Sequence, residues 1–380
     1  MLPATPPIPR SLFIGLEGIA HLFAGGQTPM LRASRDALNE YCDLKAQGMR
    51  GGNKIGERYF ETRDRLARYL RAPGGEEDIA LLGTAAEGFN VLAGGIDWRP
   101  GDNVVSLRNE YPSSLLPWMM RRKDGVTLTT VDAGNDPEGA IIEAITDRTR
   151  VVCASYVNYL TGLRLNLEQL ATAAHKHGAV LAVDASQALG AIEVDTEQCD
   201  VLVSCCYKFQ LAAQGVGIFY WNRRRIAELL PAYVGWHSIV DDWQVPPPVT
   251  HEDFRLRPSA QRFEIGNPPY MATFVLNEAL KVLESLDALA VQTWVLDLGV
   301  RLRAGLVKLG LDVWTPEEEA HRGPSIIFGW ADCRTLVDSL AARGVYATGS
   351  SGRVRLSLHG YNDAFDVERT LVALAAELPK

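Results

Sequence analysis

A lone acid and a lone lysine each follow a short apolar run near the middle of the chain. The run at 179–183 ends at Asp184, and the run at 201–204 leads through two cysteines and Tyr207 to Lys208. Short β-branched runs predict buried strands of a parallel sheet. Open α/β sheets bind ligands beyond the carboxyl ends of such strands, which predicts that both side chains serve one ligand site. A buried ion pair between Asp184 and Lys208 is the alternative, since unpaired buried charges are costly.

The chemistry of these residue types suits a flat ligand with several polar groups. A carboxylate such as Asp184 can keep a ring nitrogen protonated. Gln187, three residues later, offers an amide to a phenolic oxygen. The amine of Lys208 can form a Schiff base with an aldehyde. One strand–crossover–strand segment therefore carries three groups that could bind the same ligand.

A second candidate lies at Gly83–Asn90, directly after an apolar run and at the start of a predicted helix. Small residues at a helix N-terminus leave backbone N–H groups free, and the helix dipole adds positive potential there. This combination predicts a phosphate-binding turn with Thr84 as a hydroxyl donor. Thr84 could equally be a simple N-cap, and the residues alone do not separate the two roles.

Two further side chains could contact a ligand. Tyr111 follows the next predicted strand and offers a ring that can stack on a flat ligand. Arg355 shares one side of a predicted strand with Arg353 and Ser357, and a guanidinium there can bind a carboxylate through two hydrogen bonds. A solvated charged face is the alternative for this arginine.

The elements that must hold these residues alternate between strands and helices. Apolar runs predict strands at 79–82, 103–107, 126–131, 151–155, 180–184, 201–204 and 217–221, with helices at 85–92, 113–122, 137–146 and 167–177. The turn before 217–221 is too short for a parallel crossover, so this strand is expected to run antiparallel to its predecessor. The pattern predicts the α/β class with a doubly wound, mostly parallel sheet.

The segments outside this alternation are less regular. Further helices are predicted at 32–47, 57–71, 276–289 and 367–378, and further strands at 325–330 and 354–358. Gly48–Gly56 is predicted as a flexible loop, and it lacks the Walker phosphate-loop pattern. A long irregular connection is expected from Trp236 to Pro258. We predict a large domain at 16–260 and a small α+β domain at 261–380, to which the N-terminal arm 1–15 belongs.

Composition narrows the class of partner and the compartment. The 380 residues are 47% apolar and 22% charged, with a net charge of −8 at pH 7, which disfavours nucleic acid and anionic membranes as partners. No apolar run approaches the roughly 20 residues that span a bilayer. The Pro-rich N-terminus lacks the apolar core of a secretory signal. Six cysteines without C-x-x-C pairs disfavour structural zinc and indicate a reduced cytoplasm.

Taken together, these motifs resemble the class V aminotransferase family of fold-type I enzymes that depend on pyridoxal 5′-phosphate (PLP), a group with cysteine desulfurases and isopenicillin N epimerase. The sequence V-D-A-S-Q-A at 183–188 is similar to the family's V-D-[AG]-[AS]-Q-x. Tyr207-Lys208 and Q-G-V-G at 214–217 are similar to its lysine and Gly-x-Gly turn. The resemblance covers residue 20 to the C-terminus. It implies PLP as the cofactor and a seven-stranded sheet with a smaller α+β C-terminal domain.

The resemblance also implies roles for matching residues. Lys208 would hold PLP as the internal aldimine, Asp184 would pair with the pyridine nitrogen, and Arg355 would bind the substrate α-carboxylate. The other implied cofactor contacts are Gln187 and Asn158 at the ring oxygen, Tyr111 on the ring face, and Thr84, Ala85, Cys205 and Tyr207 at the phosphate. The segment R-F-E-I-G-N-P at 262–268, which contains Asn267, resembles a loop that reaches the other subunit's phosphate. It implies a homodimer with shared active sites.

Several residues depart from the family pattern. Residues 347–352, which precede Arg355, contain no cysteine where a desulfurase carries one, and Cys333 is too early. A persulfide mechanism on a protein cysteine is therefore disfavoured. Asn267 replaces the usual threonine, and Cys205 replaces a common serine and is a poorer hydrogen-bond donor.

A PLP enzyme acting on the Cα or Cβ of an amino acid is the leading hypothesis. Transamination is the first choice, because no lyase-specific residue stands out; a C–S or other β-lyase is the close alternative, and an epimerase comes third. A catalytically inactive PLP-fold binding protein is the competing class. The substrate pocket could also include Trp236, His237, His359 and the loop at Gly25–Thr28.

Overall fold

The computed structural model describes residues 5–240 and 254–378. Numbered in chain order, the strands are β1 (Ala20–His21), β2 (Ile79–Leu82), β3 (Asn103–Leu107), β4 (Thr127–Val131), β5 (Thr149–Ser155), β6 (Val180–Asp184), β7 (Val201–Cys205), β8 (Gly217–Trp221), β9 (Ser325–Gly329), β10 (Val345–Tyr346), β11 (Thr348–Ser350) and β12 (Arg353–Ser357). The α-helices are α1 (Ala33–Lys45), α2 (Gly48–Leu70), α3 (Ala85–Gly95), α4 (Pro112–Met119), α5 (Pro137–Glu143), α6 (Leu167–Lys176), α7 (Tyr270–Glu284), α8 (Ala288–Lys308), α9 (Cys333–Ala342) and α10 (Ala364–Ala375).

A seven-stranded sheet holds the alternating region, in the order β2-β8-β7-β6-β5-β3-β4. Every neighbouring pair is parallel except the two that involve β8, which is antiparallel to both β7 and β2. Cys205 pairs with Gly217 across the connection at 206–216, which contains Lys208 and no helix. The predicted mostly parallel sheet with one antiparallel strand is therefore confirmed, and the short connection is the reason for its reversal.

Helices cover both faces of this sheet. In β6, Leu181 and Val183 belong to the apolar core on one face, and Ala182 belongs to the core on the other. Buried side chains of α2, α6 and α7 pack in the first core, and those of α3 pack in the second. Because successive strand residues point to opposite faces, nearly every position of a strand covered on both faces must be apolar. This explains the unbroken apolar runs of the sequence.

A second structural unit follows α7. Strands β11, β12 and β9 form an antiparallel sheet in that order, and α8, α9 and α10 contribute to an apolar core beneath it. Strand β1 from the N-terminal segment pairs with β10, and Leu22 packs in the same core. An antiparallel sheet covered by helices is the α+β arrangement that the sequence predicted for the C-terminal region. The predicted boundary between residues 260 and 261 stays a prediction.

The predicted loop at Gly48–Gly56 is wrong, because these residues form the first two turns of α2. Gly51 sits so close to α1 that a Cβ there would lie 1.7 Å from the carbonyl oxygen of Leu44. Ile55 packs with Leu44 and Phe274 in a small apolar cluster. Packing against α1 and α7 therefore stabilises the helix despite the low helix propensity of its glycines.

The C-terminal helices also differ from the prediction. The helix expected at 276–289 runs over Tyr270–Glu284 instead, and α8 and α9 were not predicted at all. The predicted irregular connection 236–258 lies largely outside the described residues, including its Pro246–Pro248 run. Within the described parts of the chain, no helix is long and apolar enough to cross a membrane.

Candidate active site

The carboxyl ends of the parallel strands surround a cavity of about 390 Å³. Parallel strands end at the same edge of the sheet, so residues far apart in sequence meet there. The predicted site residues in its wall are Thr84, Ala85, Tyr111, Asp184, Gln187, Cys205, Tyr207 and Lys208. Ser113, Ser155, Tyr159 and Ser186 also line it. The volume lies in the range of small-molecule and cofactor sites.

Lys208 is 9% exposed and carries its amine into this cavity. Its Nζ lies 5.5 Å from the ring centre of Tyr111 and 5.7 Å from that of Tyr207. Aromatic faces attract an ammonium, but they do not neutralise it. No carboxylate of the described residues forms a salt bridge with Lys208, so the alternative of an ion pair with Asp184 does not apply. The amine is available to a ligand.

Asp184 is held by two hydrogen-bond donors instead of a cation. The backbone N–H of Ser186 donates to Oδ1 at 2.9 Å, and the hydroxyl of Ser114 donates to Oδ2 at 3.1 Å. The side chain lies at the end of β6 and is only 6% exposed. These bonds fix the carboxylate without adding positive charge, so it can still attract a protonated ring nitrogen.

A second buried carboxylate, Glu110, lies behind the cavity. The backbone N–H of Ser155 donates to its Oε1 at 2.9 Å, and the hydroxyl of Ser155 donates to its Oε2. Burial raises the pKa of Glu110 to about 7, and the charge of Asp184 adds to this rise. Near neutral pH part of the Glu110 population is therefore uncharged. Its bonds anchor the turn that presents the adjacent Tyr111.

The N-terminus of α3 forms one end of the cavity. Thr84 is its N-cap, and Thr84 Oγ1 accepts a hydrogen bond from the backbone N–H of Glu87 at 3.1 Å. The N-cap alternative is therefore what the structure shows. The phosphate-binding role remains available as well, because N–H groups of the first helical turn have no intrahelical acceptor, and Ala85 and Ala86 face the cavity.

Gly217 lets β8 approach this helix N-terminus closely. A Cβ at Gly217 would lie 2.5 Å from the carbonyl carbon of Thr84 and 2.7 Å from the nitrogen of Ala85. Gly215, two residues earlier, has φ +94°, a backbone conformation that other residues rarely adopt. The Q-G-V-G sequence at 214–217 thus has a physical reason in the tight turn and in the contact with residues 84 and 85.

The backbone around Lys208 is held by two distant segments. The backbone N–H of Thr28 donates to the carbonyl of Tyr207 at 3.1 Å, and its hydroxyl donates to the carbonyl of Lys208 at 2.9 Å. Nε2 of His359 donates to the carbonyl of Phe209 at 2.7 Å. Burial lowers the pKa of His359 to about 4, so the ring is neutral. Residues that the sequence suggested for the substrate pocket therefore position the lysine instead.

Arg355 on β12 lies beside this cavity and is 6% exposed. Its Nη1 donates to the carbonyl of Tyr159 at 3.2 Å, its Nη2 donates to the hydroxyl of Thr348 at 3.4 Å, and its Nε has no partner. Burial lowers its pKa to about 10, and the positive charge of Arg353 adds to this effect. The alternative of a solvated charged face is excluded by this burial. The side chain is placed to bind an anion.

Two predicted cofactor contacts lie elsewhere. Asn158 uses its Oδ1 to accept hydrogen bonds from the N–H groups of Leu160 and Thr161, and its Nδ2 donates to the carbonyl of Asn109. It stabilises a turn and does not line the cavity. Asn267 is exposed in the loop before α7. Trp236 and His237 are also outside the cavity wall; His237 packs against Tyr59, and Trp236 packs against His237. The cofactor contacts of Asn158 and Asn267 stay predictions.

The cavity fits PLP on its own geometry. Its wall contains the amine of Lys208 without an acidic partner, the buried carboxylate of Asp184 without a cation, the ring of Tyr111 and the N-terminus of α3. Gln187 donates through Nε2 to the carbonyl of Gly25 at 3.0 Å, whereas its buried Oε1 has no partner. Such an orphaned polar atom is costly without a ligand. A ring with a nitrogen, a hydroxyl, an aldehyde and a phosphate would supply a partner for each group, with the hydroxyl as the donor that Oε1 of Gln187 needs.

Several functional residues were not predicted from the sequence. The hydroxyl of Ser114 and the backbone N–H of Ser186 hold Asp184, Ser155 holds Glu110, and the backbone carbonyl of Tyr159 accepts from Arg355. Ser155 ends β5 and Ser186 follows β6, so a polar residue at a predicted strand end was an available signal. Ser114 and Tyr159 carry no comparable signal, because their roles depend on how separate loops meet.

Comparisons with known proteins show the family and the fold of the chain. The sequence model of the family described as Aminotransferase class-V matches residues 21–370. A probable cysteine desulfurase of Methanothermobacter thermautotrophicus is 28% identical over 249 residues, which cover 63% of this chain and 59% of that relative. Two solved structures share the fold. The apo cysteine desulfurase of Thermococcus onnurineus has a TM-score of 0.86 at 22% identity and 99% coverage of both chains. The cystine C–S lyase C-DES, in complex with cysteine persulfide, has a TM-score of 0.86 at 21% identity, covering 96% of this chain and 99% of that one.

The match to the family spans most of the chain and includes every strand of the large sheet. The likeness to the two solved structures confirms the predicted fold type I. The residues that the family resemblance assigned to the cofactor line the cavity at the positions described above, Asn158 and Asn267 excepted. The chain therefore belongs to the class V aminotransferase family of PLP-dependent enzymes.

Proposed function

We propose that this enzyme is a C–S lyase that eliminates a sulfur leaving group from the Cβ of an amino acid. The observation that carries the proposal is Lys208 in the wall of a cavity, with Arg355 beside it, whose lining cysteine, Cys205, is kept unreactive by a raised pKa. Relatives and structural neighbours are named as cysteine desulfurases and as a cystine C–S lyase, which supports cleavage of a C–S bond. Transamination, the first choice from sequence, is supported by the name of the family and by fewer of the named relatives.

The cysteines of the chain favour release of the sulfur over its capture by the protein. Cys205 lines the cavity, but burial raises the pKa of its thiol, which keeps it protonated and a poor nucleophile. Cys42 is exposed on α1, and the other four cysteines are buried. Cys333 begins α9 and packs in the C-terminal core. The proposal therefore has the sulfur leave with its original substituent.

Each residue has a role that its position supports. Lys208, Asp184, Gln187 and the first turn of α3 would hold PLP, which when bound withdraws electrons from the substrate Cα. Arg355 binds the α-carboxylate and orients the Cα–H bond. Lys208 removes the Cα proton, and the Cβ–S bond breaks with its electron pair leaving on sulfur. The resulting 2-aminoacrylate hydrolyses to a 2-oxo acid and ammonia.

The product balance tests this function. Purified holoenzyme is incubated with L-cysteine, L-cystine, S-alkyl cysteines and S-carboxyalkyl cysteines, and the ammonia, pyruvate and sulfur products are quantified. We expect the three to appear in equal amounts without any added oxo acid. Lys208→Ala should abolish turnover, and Cys205→Ser should retain it. Transfer of the amino group to an added oxo acid, without ammonia release, would instead establish an aminotransferase.

We further propose that the enzyme is a cytoplasmic homodimer. The loop at 262–268 supports the dimer, because its counterpart in the family reaches the neighbouring subunit, and Asn267 and Ile265 are exposed on it. Light scattering at working concentration should give twice the mass of one chain. A monomer that retains full activity would contradict shared active sites.

A further inference from the structure

Arg353 is a second buried arginine beside the site. It lies on β12, on the same side as Arg355, and is 5% exposed. Its Nη1 donates to the carbonyl of Ser350 at 3.2 Å, and its buried Nε has no partner. The family resemblance assigns a role to Arg355 but none to Arg353.

Tyr159 connects both arginines with the cavity. The guanidinium carbon of Arg353 lies 5.4 Å from the centre of the Tyr159 ring, and Arg355 donates to the carbonyl of the same residue. Tyr159 lines the cavity and packs edge-to-face against Tyr111 at 5.1 Å. Arg353 is therefore one side chain away from the space that the substrate must fill.

The charges of this region are not balanced by the protein. Neither arginine forms a salt bridge within the described residues, although both are more than nine-tenths buried. Two buried cations without a counter-ion destabilise each other and the folded state. The α-carboxylate of an amino acid would neutralise one of them. The second then still lacks an anion.

We propose that the substrate carries a second anionic group at the end of its side chain, and that Arg353 binds this group while Arg355 binds the α-carboxylate. This inference rests on the proposed function only for the identity of the substrate as an amino acid. The planar guanidinium suits a carboxylate through two parallel hydrogen bonds, and a tetrahedral sulfonate can also present two of its oxygens to the same pair of N–H groups. A site built around such a charge discriminates against neutral analogues, because the arginine would stay unpaired.

Binding measurements test the proposal without requiring turnover. The holoenzyme is titrated by calorimetry with L-aspartate and L-asparagine, with L-glutamate and L-glutamine, and with L-cysteate. We expect at least one acid to bind about 10-fold more tightly than its amide, the change that one charge-assisted hydrogen bond of modest strength produces. A preference for L-cysteate over both carboxylates would identify a sulfonate as the anion.

Variants assign the preference to one side chain. Arg353→Gln should remove the preference and leave binding of the amides unchanged, whereas Arg353→Lys should retain part of it. Arg301→Gln on the exposed side of α8 is the matched control and should behave as the wild type. If the wild type binds acids and amides equally, or if Arg353→Gln weakens both equally, the proposal is wrong. If the acid preference holds but the enzyme releases no ammonia, the lyase function fails and the role of Arg353 stands.

Discussion

Replacing Gly217 with alanine tests whether the contact between β8 and the α3 N-terminus shapes the phosphate end of the site. The new Cβ would lie 2.5 Å from the carbonyl carbon of Thr84, about 0.9 Å inside the 3.4 Å at which ordinary contact begins. Both partners are backbone atoms, so no side chain can rotate away. Either β8 or the turn at Thr84–Ala85 must move.

Gly217→Ala should have two effects, one on the stability of the fold and one on the affinity for PLP. Overpacking of this kind destabilises a protein by about 1–3 kcal/mol. A displaced turn also weakens hydrogen bonds to a bound phosphate, and each hydrogen bond to a charged group contributes about 1.5–3 kcal/mol. Loss of one such bond would raise the Kd for PLP by about 10- to 100-fold. We therefore expect a moderate loss of stability and a larger loss of cofactor affinity.

Urea unfolding of the apoenzyme measures the first effect, and absorbance titration with PLP measures the second. Gly52→Ala in α2 is the matched control, because a Cβ there meets nothing within 4 Å. Alanine at an exposed helical glycine should stabilise the protein by about 0.5–1 kcal/mol and leave PLP affinity unchanged. If Gly217→Ala bound PLP as tightly as the control, the role assigned to this contact would be refuted.

Two further substitutions test the positioning of Lys208 and the titration of the buried carboxyl of Glu264. Thr28→Val removes the hydroxyl that donates to the carbonyl of Lys208. Turnover should fall several-fold while the Kd of carboxylate ligands stays constant. If turnover and ligand affinity fell in parallel, a positioning role would be contradicted. Glu264 is buried, and its pKa is raised from 4.5 to about 7 by desolvation. The carboxyl ionises at a lower pH in the unfolded chain than in the folded chain. Ionisation of Glu264 therefore lowers the free energy of unfolding as the pH rises from about 4.5 to about 7, by about 3 kcal/mol at most. We therefore expect the free energy of unfolding of Glu264→Gln, minus that of the wild type, to be larger at pH 8 than at pH 5 when both are measured by urea unfolding. An equal difference at both pH values would rule out this titration.

Short-range patterns in the sequence were sufficient to predict the large sheet and much of the cofactor site. The central strands are apolar runs because both of their faces are covered, and polar residues lie at or just beyond their carboxyl ends. Asp184 and Lys208 occupy such positions, as does Thr84 at the start of α3. Parallel topology brings these ends to one edge, so the sequence alone predicted a shared site, but it left open whether Asp184 and Lys208 form an ion pair.

Tertiary structure decided the features that depend on contacts between distant segments. Gly48–Gly56 is helical because α1 and α7 pack against it, which local propensity opposes. Thr28 and His359 hold the backbone next to Lys208 from opposite ends of the chain. The alternating pattern of β12 put Arg353 and Arg355 on one side of the strand, but only the packed structure shows that both are buried without an acidic partner. Burial and charge balance arise from the whole fold, and no local pattern encodes them.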